Sequence, residues 1–352
     1  MDIESKIALA KSEPTEEIIT EEALRNLFET NSKPRHYIGL EISGMPHLGH
    51  ILVAGKKIND LAKAGVHTQV FLADWHTVAN NKLGGDWERI KKASALYRKL
   101  FNEVCPNTEV VLGSDLYNDR SEYWKLVIQL ASKTTMARAT RTLIIEGRKE
   151  GETLHVSQYI YPIMQAADIM ALDADIPHAG MDQRRIHMLA KELFDDMGLK
   201  KIVPLHHHLL ASLSEPPKIV AGAEKEEIVA AMKMSKSKPG SAISILATKE
   251  EIASALKSAW SPEGAVKENP VLELCRYVIF PIQGSLKVER SSKYGGDVEF
   301  ASYTELENMY RDKKLHPMDL KNAVSLAIDR QIEPIRRKLG AEKEELLRLF
   351  SG

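Results

Sequence analysis

The stretch His36-Tyr37-Ile38-Gly39-Leu40-Glu41-Ile42-Ser43-Gly44-Met45-Pro46-His47-Leu48-Gly49-His50 decides the fold. Its first five residues form a short apolar run of the kind that makes a buried strand. Ser43, Gly44 and Pro46 follow as turn residues, and Ile51, Leu52, Ile58 and Leu61 then recur at helical spacing. Strand, turn and helix in that order open a nucleotide-binding α/β unit. The pattern repeats downstream, with a strand over 68–73, a long helix over 87–101 and a strand over 109–113. A polar, basic stretch at 133–152, with Arg138, Arg141, Arg148 and Lys149, interrupts it. It resumes with a helix over 158–171, a strand over 175–179, a helix over 183–197 and a strand over 201–205. Alternation of this kind implies an α/β fold with a Rossmann-like, doubly wound parallel sheet.

Outward from this core, residues 1–34 read as a polar helical extension, with Thr20-Glu21-Glu22 as a helix start and Pro34 as its limit. Ser214-Glu215-Pro216-Pro217 and the Lys- and Ser-rich run after 233 read as exposed loops, and the segment 213–229 is longer than a simple connection needs. Beyond 244 the pattern turns helical, punctuated by Pro270, Pro281 and Pro317. The chain therefore divides into a Rossmann-like domain over 1–244 and a helical domain over 245–352. The first carries a connective insertion at about 133–152 and a lysine loop at 233–240.

Composition narrows the function. The 352 residues carry 48 Lys+Arg against 49 Asp+Glu, and 43% are apolar, the balance of a globular protein. Near-zero net charge argues against a protein that coats nucleic acid wholesale. No run is long and apolar enough for a membrane span, and Met1-Asp2-Ile3-Glu4-Ser5-Lys6 lacks the regions of a signal peptide, so a cytoplasmic location is expected. Cys105 and Cys275 stand too far apart to form metal-ligand spacing. Adjacent His206, His207 and His208 cannot all face one ion, so no protein-bound metal is expected.

Three features carry chemistry. His47 and His50 lie one helical turn apart where a helix begins, and a helix N-terminus suits a polyphosphate. Gly49 between them leaves room for a flat group near the backbone. Far downstream, Lys233-Met234-Ser235-Lys236-Ser237-Lys238-Pro239-Gly240 is a loop able to close two ammonium groups over phosphates. Finally, Tyr161, Gln165 and Asp168 fall on one helix face within an arc of about 60°, a phenol, an amide and a carboxylate aimed the same way.

The pair His47-Leu48-Gly49-His50 and Lys233-Met234-Ser235-Lys236-Ser237 resembles the signature of class I aminoacyl-tRNA synthetases, which read His-Ile-Gly-His and Lys-Met-Ser-Lys-Ser. Leu48 replaces the isoleucine. The resemblance implies that His47, His50, Lys233 and Lys236 are the catalytic residues, acting on the phosphates of ATP accompanied by Mg²⁺. It places Gly39, Gly49 and Asp182 on the ATP side as well. Tyr37-Ile38-Gly39-Leu40-Glu41, Tyr161-Pro162-Ile163-Met164-Gln165, Gly180-Met181-Asp182-Gln183-Arg184-Arg185 and Leu315-His316-Pro317-Met318-Asp319 sharpen it to tyrosyl-tRNA synthetases of the archaeal and eukaryotic type.

In that family the residues matching Tyr37 and Asp168 bond the phenolic hydroxyl of L-tyrosine. Those matching Tyr161, Gln165 and Gln183, with Glu41 nearby, hold its α-ammonium end. The resemblance also implies tRNA(Tyr) as partner. Arg138, Arg141, Arg184 and Arg185 would face the acceptor stem, while Tyr294, His316, Pro317, Met318 and Asp319 would face the anticodon. It implies, finally, a homodimer and a C-terminal anticodon-binding domain. A tryptophanyl relative, a nucleotidyltransferase and a catalytically silent RNA-binding paralogue are the alternatives. The intact motifs weigh against a silent paralogue, and the residues after 244 weigh against a nucleotidyltransferase.

Overall fold

The computed structural model describes residues 1–118, 120–143, 155–217, 228, 232–234 and 240–350. The chain begins with α1 (Ile3–Lys11), β1 (Thr15–Ile18), α2 (Glu21–Thr30) and β2 (Arg35–Leu40). A π-helical turn at Gly49–Val53 leads into α3 (Ala54–Lys63), followed by β3 (His67–Leu72), α4 (Asp74–Ala79), α5 (Trp87–Val104) and β4 (Glu109–Leu112). Next come α6 (Gly113–Tyr117), α7 (Ser121–Lys133), α8 (Met136–Leu143), α9 (Val156–Ala171), β5 (Ile176–Gly180), α10 (Arg184–Asp196) and β6 (Leu205–His207).

The sheet runs in the order β1-β6-β5-β2-β3-β4, and all neighbours are parallel except β1 with β6. Two readings change here. The extension over 1–34 is not wholly helical, because Thr15–Ile18 pairs antiparallel with β6 as an edge strand. The strand expected at 201–205 lies instead at Leu205–His207. Thr20 does start a helix, its hydroxyl accepting the Ala23 amide at 3.2 Å.

From β2 the chain builds β3 and β4 to one side, then returns to lay β5 on β2's other edge. That reversal is a topological switch point, where ligands bind beyond the carboxyl ends of the strands. Leu40, Leu72, Leu112 and Gly180 end the flanking strands, so the turns that follow them surround one crevice.

Beyond the sheet stand α11 (Lys249–Ser258), α12 (Pro270–Leu274), a π-helical turn at Cys275–Ile279, α13 (Phe280–Gln283), α14 (Tyr303–Arg311), α15 (Pro317–Leu339) and α16 (Lys343–Phe350). This part is not purely helical, since β7 (Leu286–Val288) and β8 (Val298–Phe300) form an antiparallel ribbon. One apolar core runs from Ile38, Leu48 and Leu72 through Ile243, Ile245 and Leu246 to Val271, Ile279 and Ile328. The composition shift near 244 is therefore spanned by a continuous core. Among the described residues no helix is long and apolar enough to cross a membrane.

Candidate active site

The turn after β2 seats the histidine motif at the mouth of the crevice. The His47 and His50 rings lie 3.9 Å apart between centroids, and the Gly49 amide donates to His47 Nδ1 at 3.2 Å. A Cβ at Gly49 would stand 3.0 Å from His47 Cε1, so the glycine makes room for the motif's own imidazole. The segment just past the lysine loop lies across this turn. Leu48 N donates to Ile243 O at 3.1 Å, Ile245 N donates to Pro46 O at 3.1 Å, and His47 bridges Ser244. Lys233 arrives from the loop's other end, pairing with Ala211, while Met234 N donates to Leu210 O at 2.6 Å. Leu210 also reaches within 4.0 Å of a Cβ built on Gly49, so the two motifs that the sequence holds far apart share a neighbour. Lys233 Nζ sits 2.6 Å from Asp182 Oδ2. Lys236 lies outside the described residues.

Behind the motif, α9 presents Tyr161, Gln165 and Asp168 toward β2 and α4. Asp168 is 1% exposed, and its Oδ1 accepts from the Tyr117 hydroxyl at 2.8 Å and the Tyr123 hydroxyl at 2.9 Å. Its other oxygen is 3.4 Å from His76 Nε2. Burial pushes the carboxyl up to about 8, and the two phenols pull it back down. The same burial pushes the Tyr37 hydroxyl well above its ordinary value, with the Asp168 charge adding to the rise and the Gln165 side chain opposing it. Gln165 Nε2 donates to Gln183 Oε1 at 3.5 Å, and the Tyr161 ring meets His76 edge to face at 4.6 Å. Burial lowers His76 to about 3, so its imidazole is neutral near pH 7. The arrangement gathers a buried carboxyl, phenols and amides around one place. It suits a small amphipathic molecule carrying a hydroxyl at its apolar end.

The family model described as tRNA synthetases class I (W and Y) matches residues 29–332. The chain belongs to that family. It is 43% identical to the tyrosine–tRNA ligase of Pyrococcus furiosus over 98% of this chain and 97% of that protein. The corresponding ligase of Thermococcus kodakarensis is 44% identical over the same shares of the two chains. The crystal structure of tyrosyl-tRNA synthetase complexed with L-tyrosine from Pyrococcus horikoshii superposes with a TM-score of 0.91 at 43% identity, covering 100% of both chains. A Plasmodium falciparum tryptophanyl-tRNA synthetase shares the fold at 16% identity, with a TM-score of 0.68.

Set on this class I synthetase fold, the remaining sequence candidates fall into place unevenly. Gly39 ends no turn but sits in β2, where a Cβ would press on Tyr37 at 3.3 Å. Glu41 accepts from Asn80 Nδ2 at 2.6 Å at the edge of the crevice. Arg184 is engaged with Glu17 at 2.8 Å, and Arg138 with Glu192, while Arg141 is exposed on α8. Arg148 and Lys149 lie outside the described residues. His316 caps α15 by accepting the Met318 amide at 3.2 Å, so Pro317, Met318 and Asp319 form that helix's first turn rather than a loop. Tyr294, 65% exposed, projects between β7 and β8. The three adjacent histidines diverge, His206 toward Glu17 and His187, His207 toward His178, and His208 toward Glu16 and Glu273. Among the described residues no cluster of three or more His, Cys, Asp or Glu side chains is arranged to hold a metal ion.

Sequence reasoning missed His76, Tyr117 and Tyr123. Tyr123 belongs to the helix Ser121–Lys133, which was not read at all, and Tyr123, Val127 and Leu130 at helical spacing were the available signal.

Proposed function

We propose that this chain is a tyrosine–tRNA ligase that activates L-tyrosine with ATP and passes the tyrosyl group to the 3′ end of tRNA(Tyr). The observation that carries the reading is the Asp168 carboxyl, buried beside Tyr37 among phenols and apolar side chains. In this reading Tyr37 and Asp168 bond the substrate's phenolic hydroxyl, and Tyr161, Gln165, Gln183 and Glu41 face its ammonium end. Phenylalanine would leave the buried carboxylate and phenol without their partner, which makes it a poor substrate. Tryptophan offers a single N–H donor and no acceptor for Tyr37 to donate to.

The tyrosine carboxylate attacks the α-phosphorus of ATP, and pyrophosphate departs from the opposite side. No protein nucleophile is needed, because positioning and charge stabilisation suffice for such a transfer. His47 and His50 hold the phosphate chain at the start of the helical turn, with Gly39 and Gly49 keeping the backbone open beside it. Lys233 is then the group that neutralises charge growing on the leaving pyrophosphate, with Lys236 from the loop. To do so Lys233 exchanges Asp182 for phosphate oxygens, releasing Asp182 toward the ribose. A hydroxyl of the tRNA's terminal ribose then attacks the acyl carbon, and AMP leaves. Mg²⁺ would arrive as a companion of ATP, with Asp182, which meets Lys233 at 2.6 Å, as an acid beside the phosphates. Bound there, the ion would neutralise phosphate charge.

A homodimer is part of the same proposal. Trp124 and Ile128 on α7, Met136 on α8, and Val156 and Ile160 on α9 are exposed large apolar side chains on helices that pack together. Exposed apolar surface on packed helices of this kind marks an interaction site.

The test is exchange of labelled pyrophosphate into ATP with each amino acid offered singly. Tyrosine alone should support it. Exchange with tryptophan and not tyrosine would overturn the pocket assignment, and silence with every amino acid would overturn the activity.

A further inference from the structure

Arg290 follows β7 and is half-buried, and all of its described hydrogen bonds hold backbone or turn. Its Nε donates to Gly296 O at 2.9 Å, its Nη1 donates to Lys314 O at 3.1 Å, and its own amide donates to Asp297 Oδ1 at 3.1 Å. Nη2 lies 3.6 Å from where a Cβ on Gly295 would be. The guanidinium is thus tucked beneath the Tyr294-Gly295-Gly296 turn, in which Gly295 (φ +94) and Gly296 (φ +72) adopt the left-handed backbone that glycine favours. Lys314 belongs to the short connection between α14 and α15, two residues before His316. One planar side chain therefore bridges the turn that carries Tyr294 and the segment that launches His316 to Asp319.

We propose that Arg290 is a positioning residue for anticodon recognition, a strut that sets the separation between the Tyr294 ring and the first turn of α15. This rests on reading those two places as the anticodon contact, as the family resemblance implies. Tyr294 sits beyond the end of the short β7–β8 ribbon, in a turn closed by its own hydrogen bonds, Tyr294 N to Ser291 O at 2.8 Å and Gly296 N to Ser291 O at 3.2 Å, and the Arg290 bond to Lys314 O ties that turn to the segment before α15. A base stacked on Tyr294 and an edge read by Asp319 must be met at one fixed distance, and a guanidinium fork fixes two carbonyls at once. A lysine offers a point charge without the fork and cannot hold both in the same geometry.

The experiment compares Arg290→Ala and Arg290→Lys with the parent chain in three assays: tyrosine-dependent pyrophosphate exchange, charging of full-length tRNA(Tyr), and charging of an acceptor-stem minihelix lacking the anticodon. For both variants, KM for full-length tRNA is expected to rise about tenfold, the scale of one lost charge-assisted hydrogen bond. Exchange and minihelix charging should remain at parental levels. In the double variant Arg290→Ala with Tyr294→Ala, the penalty should be no larger than for Tyr294→Ala alone, because the strut acts through the ring.

An unchanged KM for full-length tRNA overturns the strut, and so does an equal loss with the minihelix or fully additive penalties. Tyr294→Ala and Asp319→Ala tested alone separate the two readings. If they leave charging of full-length tRNA unchanged, the anticodon assignment itself has failed. If they impair it while Arg290→Ala does not, only the strut has failed.

Discussion

Asp168 makes the sharpest statement that a single residue makes here. Burial raises its carboxyl to about 8 against the pull of the Tyr117 and Tyr123 hydroxyls, so it takes up a proton as pH falls through that value. Only the ionised form accepts a hydrogen bond from a substrate hydroxyl through either oxygen. kcat/KM for tyrosine in pyrophosphate exchange should therefore drop as pH is lowered below about 8. Asp168→Asn should flatten that slope and cost about 10- to 100-fold at pH 8; a slope kept by the variant would assign the titration to another group. Gly49→Ala poses a second test. Its methyl would press on His47 Cε1 at 3.0 Å, turning the ring, so KM for ATP should rise with thermal stability nearly unchanged. Both residues were legible in the sequence, Asp168 because a helix repeats its face every three to four residues and Gly49 because it sits inside a compact motif. Tyr117 and Tyr123 were not, for they meet Asp168 across separations of 51 and 45 residues that no local pattern encodes.

Elements place these residues, and α4 and α6 do so jointly. Asp74, at the start of α4 and 1% exposed, accepts from Ser114 Oγ at 2.6 Å, from the Ser114 amide at 3.0 Å and from the Trp75 amide at 2.7 Å. Burial raises its pKa, while these donors hold it down. The clamp fastens the helix that carries His76 to the one that carries Tyr117. Asp74→Ala strips the partly buried Ser114 donors of their acceptor and leaves them unsatisfied, which should destabilise the protein by about 2 kcal/mol in urea unfolding. It should also raise KM for tyrosine while leaving KM for ATP alone; equal changes in both would mean the clamp merely supports the fold. The long, strongly patterned elements were readable, including the strand at 67–72 and the helix at 87–104. β1 was not, because four residues, Thr15 to Ile18, follow directly on one helix and precede another, and their partner strand lies some 190 residues later. What makes Glu16 and Glu17 part of a strand edge is the set of histidines and Arg184 that meet them there.

At the scale of the molecule, the same edge fastens the N-terminal strand to the helical half. Ion pairs and backbone contacts cross the composition shift near 244, among them Arg276 to Glu13 at 2.6 Å, Lys338 to Glu103 at 2.7 Å and Arg89 Nη2 to Leu349 O at 2.6 Å. His208 is the most enclosed of these links. Its Nδ1 meets Glu16 on β1, its Nε2 lies 3.0 Å from Glu273 on α12, and its ring stacks on Tyr277 at 3.8 Å. Burial alone would lower its pKa, but the two carboxylates outweigh it and raise the imidazole to about 9. With a folded value near 9 and an ordinary value of 6.5, the doubly paired imidazolium stabilises the fold fully below pH 6.5. That contribution fades as pH rises through 9, and the shift corresponds to roughly 3 kcal/mol at most. Thermal unfolding followed from pH 6 to 10 should show the parent losing stability across that window. His208→Gln, which keeps a polar side chain but cannot be charged, should be less stable at pH 6 and converge on the parent by pH 10. Parallel curves for the two proteins would mean that the halves are held by their shared apolar core, with no net contribution from the histidine clamp.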